Sequence, residues 1–257
     1  MHDAAAKAAQ PHPIRDALAQ VQALRSLALS DPSWADAVRA VKQLQARRFA
    51  ASYADMLQGG TYAQAAQFFM DEIYSERDYS ERDAQFGRIA TAIERYFPQR
   101  VGATALALAQ LHALTEQLDY AMGQAWTRAG TLGLTASPGA RYLWAWREVG
   151  RHADRQQQLD AVMHLGQEMI ALTRTPGLRT VLRMMRAPAH AAGLGALQLF
   201  LERGFDTFAA LARNGQAAQT FLSIVQERES ALISAWFDDD LQSSQARLAA
   251  LLQTAGA

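Results

Sequence analysis

Residues 99–129 read QRVGATALALAQLHALTEQLDYAMGQAWTRA. Alanine and leucine fill most of the first half and no proline interrupts, so the stretch predicts a long helix that is buried nearly all round at its start. Its longest apolar run, Val101 to Ala109, contains Gly102 and Thr104 and continues into Gln110 and His112. That falls far short of the ~20 apolar residues a membrane span requires.

Working upstream, Pro98 stops a helix carrying Phe86, Ile89, Ile93 and Phe97. Ser80 with Asp83 three residues on resembles a capping box at its start, with Asp in place of Glu. Before it, Thr61 can cap a segment whose stripe runs through Tyr62, Ala65, Ala66, Phe68, Phe69 and Ile73 to end near Tyr74. Ser30-Asp31-Pro32 reads as a helix start, followed by Trp34, Val38, Val41, Leu44 and Phe49 at helical spacing up to Gly59-Gly60. A further helix is expected from Ile14, and residues 1–13, broken by Pro11 and Pro13, read as a flexible tail.

Downstream, Gly130, Gly133, Ser137, Pro138 and Gly139 mark the clearest interior loop. Helices are expected over 140–152, 154–173, 177–186, 194–212, 216–237 and 241–253, with Asp238-Asp239-Asp240 favourable at the start of the last. The chain therefore predicts an all-α fold, an irregular bundle of about nine to eleven helices. Residues 14–257 are expected to form one domain, with 130–139 as the place for any subdomain division. No fixed-period repeat is visible.

Composition agrees. Half the residues are hydrophobic and 19% charged, and 25 basic residues balance 25 acidic ones. No global field steers such a chain to nucleic acid or an anionic membrane. The lack of cysteine excludes disulfides, thiolate metal sites and cysteine nucleophiles. With no secretory signal in the first 28 residues, the reading assigns a soluble, cytoplasmic protein. No Gly-x-Ser-x-Gly elbow, dinucleotide fingerprint or phosphate loop occurs, which removes the common nucleophilic and nucleotide enzymes.

Two constellations remain. The first is the charged junction from Asp71 and Glu72 to Arg88, in which Tyr74, Arg77, Asp78, Arg82 and Asp83 either clasp a turn or present charged and aromatic groups to a partner. The second is His112, Glu116 and Asp119, which fall on one face of the long helix. Glu148 with His152, and His164 with Asp160 and Glu168, repeat such pairings. Acidic residues are about a tenth of the chain, so about two of the six histidines meet one by chance at four helix-neighbour positions. The di-iron spacing, Glu and His three apart, is not met. Arg179, Arg183, Arg186 and His190 form a short basic face, usually a solvated surface. The aromatic-rich stripes at Leu197–Leu211 and Phe221–Phe237 read as core.

At Phe68-Phe69, Glu72-Ile73-Tyr74, Arg77-Asp78-Tyr79-Ser80 and Arg82-Asp83-Ala84-Gln85-Phe86, the sequence resembles an uncharacterised all-helical family from proteobacteria. Further matching positions lie at Leu111-His112-Ala113-Leu114, Leu118-Asp119, Leu197-Gln198, Phe200-Leu201-Glu202, Gly204-Phe205, Phe208 and Glu227-Arg228-Glu229. The family pattern often has Gly-Pro after the tyrosine, where this chain has Ser75-Glu76. The resemblance implies a bacterial cytoplasmic protein and carries over no catalytic residue.

These features make a non-catalytic interaction module the leading expectation, with the Tyr74–Arg88 junction meeting a protein partner or a second copy. The alternative is a bundle that binds a small molecule or metal, possibly as an enzyme, through an interior site at His112, Glu116 and Asp119. No cofactor is named by either.

Overall fold

In a computed structural model, the structure describes residues 12–74, 77, 79–133, 137–213 and 215–254. Among these every regular element is helical: α1 Pro13–Leu29, α2 Pro32–Ser52, α3 Ala54–Leu57, α4 Ala63–Glu72, α5 Ser80–Tyr96, α6 Gln99–Thr131, α7 Pro138–Val149, α8 His152–Thr173, α9 Leu178–Met184, α10 Arg186–Ala191, α11 Gly195–Ala212, α12 Ala217–Asp238 and α13 Leu241–Thr254. The excess over the expected number has two local causes. Tyr53 interrupts the helix expected to reach Gly59, leaving α3 as a single turn. Beyond the helix expected over 177–186, α10 forms with Pro188 in its first turn, where the missing N–H costs nothing.

Several start signals work as the sequence suggests. Asp31 accepts the backbone N–H of Ser33 at 2.8 Å ahead of Pro32; Ser137, read as part of the loop, also caps a helix, accepting the Ala140 N–H at 3.2 Å ahead of Pro138. Asp240 accepts the Ser243 N–H at 2.9 Å at the start of α13. Two expectations need correction. Thr61 does not cap α4, which begins two residues later after Tyr62. Nor does Asp83 close a capping box, because its carboxylate turns inward to Arg25 and His112.

The 33-residue α6 is about 50 Å long and forms the axis against which α1, α2, α7 and α8 lie. It meets α2 closely at Gly123, where a methyl group would come within 2.5 Å of Val38 Cγ2 and 3.3 Å of the Val38 backbone nitrogen. The main apolar cluster combines Val41, Leu44 and Phe49 of α2 with Phe69 of α4, Met122 of α6, Leu143 of α7, Val162 of α8 and Phe221 of α12. Residues on both sides of 134–136 thus share one core. A smaller cluster joins Ile14 and Leu18 of α1 to Phe86, Ile93, Ala109 and Leu197. Among the described residues no helix is long and apolar enough to cross a membrane.

Candidate functional site

The helical face expected at His112, Glu116 and Asp119 exists, and it is turned inward. Glu116 and Asp119 are buried, and the His112 side chain is 19% exposed. Burying carboxylates demands partners, and these come from α1 and α2. Arg25 donates through Nε and Nη2 to Glu116 Oε1 at 3.0 and 2.9 Å and through Nη1 to Asp83 Oδ2 at 2.8 Å. Lys42 Nζ lies 3.0 Å from both Glu116 oxygens and 3.8 Å from Asp119 Oδ2. Gln45 donates to Asp119 Oδ1 at 3.1 Å.

His112 Nε2 lies 2.8 Å from Asp83 Oδ2 and 3.1 Å from Arg25 Nη2. This contact joins the two constellations: Asp83 of the junction and His112 of the long helix belong to one network. Burial raises the Asp83 carboxyl, but His112, Arg82 and Arg25 together hold it below the ordinary range. Burial likewise works against Glu116, which Lys42 and Arg25 keep low. Asp119 goes the other way, because burial outweighs the pull of Lys42. With Arg25 and Lys42 already on the carboxylates, these groups make a poor metal centre. Among the described residues no group of three or more His, Asp or Glu side chains is placed to hold a metal ion.

The rest of the junction is a clasp. Arg82, 14% exposed, reaches Glu72 Oε2 at 3.3 Å and stacks between the Tyr79 and Phe200 rings at 4.1 and 4.6 Å. Arg203 of α11 reaches Glu72 at 2.6 Å and Asp71 at 2.8 Å. Arg77 is 59% exposed and 3.9 Å from Asp71. Asp78 lies outside the described residues. Of the other expected histidine pairings, Glu148 faces Arg128, Glu168 holds Arg100 at 2.7 Å with His164 also acting on it, and the His152 ring stacks on Phe237. The basic face of α9 and α10 is matched by Asp206 and Glu202 of α11.

Tyr74 points away from the junction into a second cluster that the sequence reading missed. Its ring stacks on Phe49 at 4.1 Å and lies 5.8 Å from the Arg48 guanidinium. Arg48 is buried and donates to both Glu229 oxygens at 2.5 and 2.7 Å, and Tyr53 donates to Glu229 at 3.0 Å. Trp236 lies 5.6 Å from Arg48 and 4.9 Å, edge to face, from Trp146. Tyr142 touches both indoles at 5.7 and 5.8 Å, and Arg155 covers Trp146 at 4.2 Å.

This cluster is polar without being satisfied. Six buried side-chain nitrogen or oxygen atoms lack a hydrogen-bond partner among the described residues, and five belong here: Arg48 Nε, Tyr142 Oη, Trp146 Nε1, Arg155 Nη2 and Trp236 Nε1. A few such atoms per hundred residues are ordinary in native proteins. Five of these six sit on side chains that pack against one another. Arg155 is 6% exposed, its Nη1 donates to the neutral Gln158 amide oxygen at 3.1 Å, and the Asp119 charge acts on it without a direct ion pair. Burial lowers its proton affinity, but a guanidinium stays charged in proteins. The Tyr142 hydroxyl is pushed up to about 12 by burial, so it remains protonated and able to donate. The guanidinium and indole N–H groups among them can only donate, and the Tyr142 hydroxyl can donate or accept.

A family model described as a domain of unknown function (DUF8198) matches residues 24–243. No curated protein and no solved structure matches the chain.

Proposed function

The chain belongs to the DUF8198 family, a domain of unknown function, and from that premise we propose that it is a helical binding protein holding a small molecule in its interior. The site is the cluster of Arg48, Tyr142, Trp146, Arg155 and Trp236, about which α2, α7, α8 and α12 are arranged. One observation carries the reading: five buried polar atoms without a partner among the described residues belong to this one cluster of side chains, each costing about 1–3 kcal/mol if left unsatisfied. The His112 network adjoins it through Asp119, whose charge acts on both Arg155 and Tyr142. That network holds α1, α2, α5 and α6 together and so positions the walls.

A second reading, contact with a protein partner or a second copy, is favoured by the exposed Arg77 side of the junction. One experiment separates the two. Native mass spectrometry of protein purified gently from its own source is expected to show excess mass that disappears on denaturation and is absent from Arg155→Met. A native mass equal to the denatured monomer in every preparation sinks the interior-binding reading. A bare dimer supports the interface instead.

A further inference from the structure

We infer that a second site, an open hollow where the C-terminal ends of α8 and α11 meet the start of α9, binds a small phosphate monoester. The inference does not depend on the interior-binding reading. The hollow follows from local chain rules. Pro176 cannot continue α8, and Gly177, at φ 77°, turns the chain through the left-handed region into α9. Between that turn and the last two turns of α11 lies a space of about 420 Å³. Small-molecule sites commonly measure roughly 300–1,000 Å³.

Charge singles the hollow out. Its wall holds Arg174, Arg179 and Arg213 and no carboxylate. Arg179 is anchored from outside the wall: its Nε and Nη2 lie 2.9 and 2.7 Å from Asp206 Oδ1, so its charge is matched and its guanidinium held in place. Arg174 and Arg213 have no ion-pair partner among the described residues, and Arg213 Nε reaches only the Ala209 carbonyl, at 3.4 Å. Each follows the last residue of its helix, Arg174 after Thr173 and Arg213 after Ala212, where a cation is favourable against the helix dipole. That accounts for either one alone. It does not account for both sharing one hollow with a third, because like charges so placed repel unless an anion lies among them.

The charge count sets the ligand class. Two unmatched cations suit a dianion, and a phosphate monoester carries about −1.5 to −2 at pH 7. Guanidinium forks match phosphate oxygens in pairs. A single carboxylate would leave one arginine unmatched, and a cation would meet like charge alone. The dipoles of the two helix ends offset part of the arginine charge, which makes the affinity modest and sensitive to salt. The apolar part of the wall is buried Phe205 with Ala209 and Ala212. An inorganic ion would leave that surface uncovered, so the phosphate carries a small organic group.

The test is isothermal titration calorimetry of the full chain at low ionic strength with phenyl phosphate, inorganic phosphate and benzyl alcohol. Phenyl phosphate is expected to bind at least about fivefold more tightly than inorganic phosphate, through burial of its ring, and benzyl alcohol to give no measurable heat. Arg174→Gln combined with Arg213→Gln is expected to weaken phenyl phosphate at least about tenfold. Arg47→Gln combined with Arg247→Gln removes the same net charge from exposed positions outside the hollow and is expected to leave the affinity within about twofold. Should the first pair not fold, Ala209→Leu fills the hollow with every charge kept, and is expected to lose at least about tenfold.

No binding of phenyl phosphate, an equal loss in both charge-removing pairs, or unchanged affinity in Ala209→Leu overturns the site. Inorganic phosphate binding as tightly as phenyl phosphate overturns the monoester assignment, and benzyl alcohol matching it overturns the anion. Phenyl phosphate lost in Arg155→Met but fully bound by the Arg174 and Arg213 pair belongs to the interior cluster, and that result overturns the hollow. The interior-binding reading fails separately, on the absence of any excess native mass.

Discussion

At the scale of single residues, the molecule keeps charge inside by two unlike means. Asp83 and Glu116 have their carboxylates matched by Arg25 and Lys42, whereas Asp119 is buried beyond what its partners offset. The pH signs are therefore opposite. Asp83 and Glu116 have folded values below their ordinary 3.8 and 4.5, so they contribute stability that is present above those values and lost as pH falls through the lowered folded ones. Asp119 is raised, so its contribution is present below 3.8 and lost as pH rises through its folded value. Denaturant titrations at pH 7 should show Asp83→Asn and Glu116→Gln losing about 1.5–3 kcal/mol each, and Asp119→Asn less than about 1 kcal/mol. On acidification below pH ~4.5, the first two variants should decline less steeply than the wild-type protein. An Asp119→Asn loss as large as theirs contradicts the assignment.

The candidate site was half legible at this scale. His112, Glu116 and Asp119 are a single helix face, and spacing alone finds them. Asp83 joining His112 across 29 positions has no local signature. Arg48, Arg155 and Glu229 did leave one. Each stands on an apolar stripe, Arg48 four residues after Leu44, Arg155 four before Leu159, and Glu229 midway between Val225 and Ile233. A charged residue at a core register is a pointer to a buried polar site. Which charges meet is decided by packing, since Arg48 and Glu229 are 181 positions apart.

At the scale of elements, apolar period and caps placed most helices within a few residues, because those signals are local. They failed where tertiary demand overrode them, at Asp83, drawn from the helix end into the core, and at Tyr53, buried against Glu229. Gly123 is a second such conflict. Helix propensity alone favours Gly123→Ala by about 1 kcal/mol, but the added methyl meets Val38 where α6 crosses α2. Overpacking of this kind costs about 1–3 kcal/mol, and the crowding includes backbone, which cannot rotate away. The variant should melt lower by about 2–4 °C for each kcal/mol of net loss. A higher melting temperature means that the two helices are not in close contact at this point.

At the scale of the whole molecule, the glycine- and proline-marked stretch at 130–139 suggests a division, while the largest apolar cluster draws on residues from both sides of it. Shared burial couples segments more strongly than a short connection separates them. Scanning calorimetry is accordingly expected to give one transition with calorimetric and van't Hoff enthalpies in agreement. Two resolved transitions would mean that the halves fold as separate units.

The paired tryptophans have an optical consequence. Trp146 and Trp236 sit 4.9 Å apart with ring planes at 82°, a separation at which the indole transition dipoles couple into delocalised excited states. The coupling depends on their mutual angle, so a small rotation of α7 against α12 changes the ellipticity of the pair while every backbone hydrogen bond stays in place. The core thus carries its own goniometer, sensitive to motions that helix content cannot report.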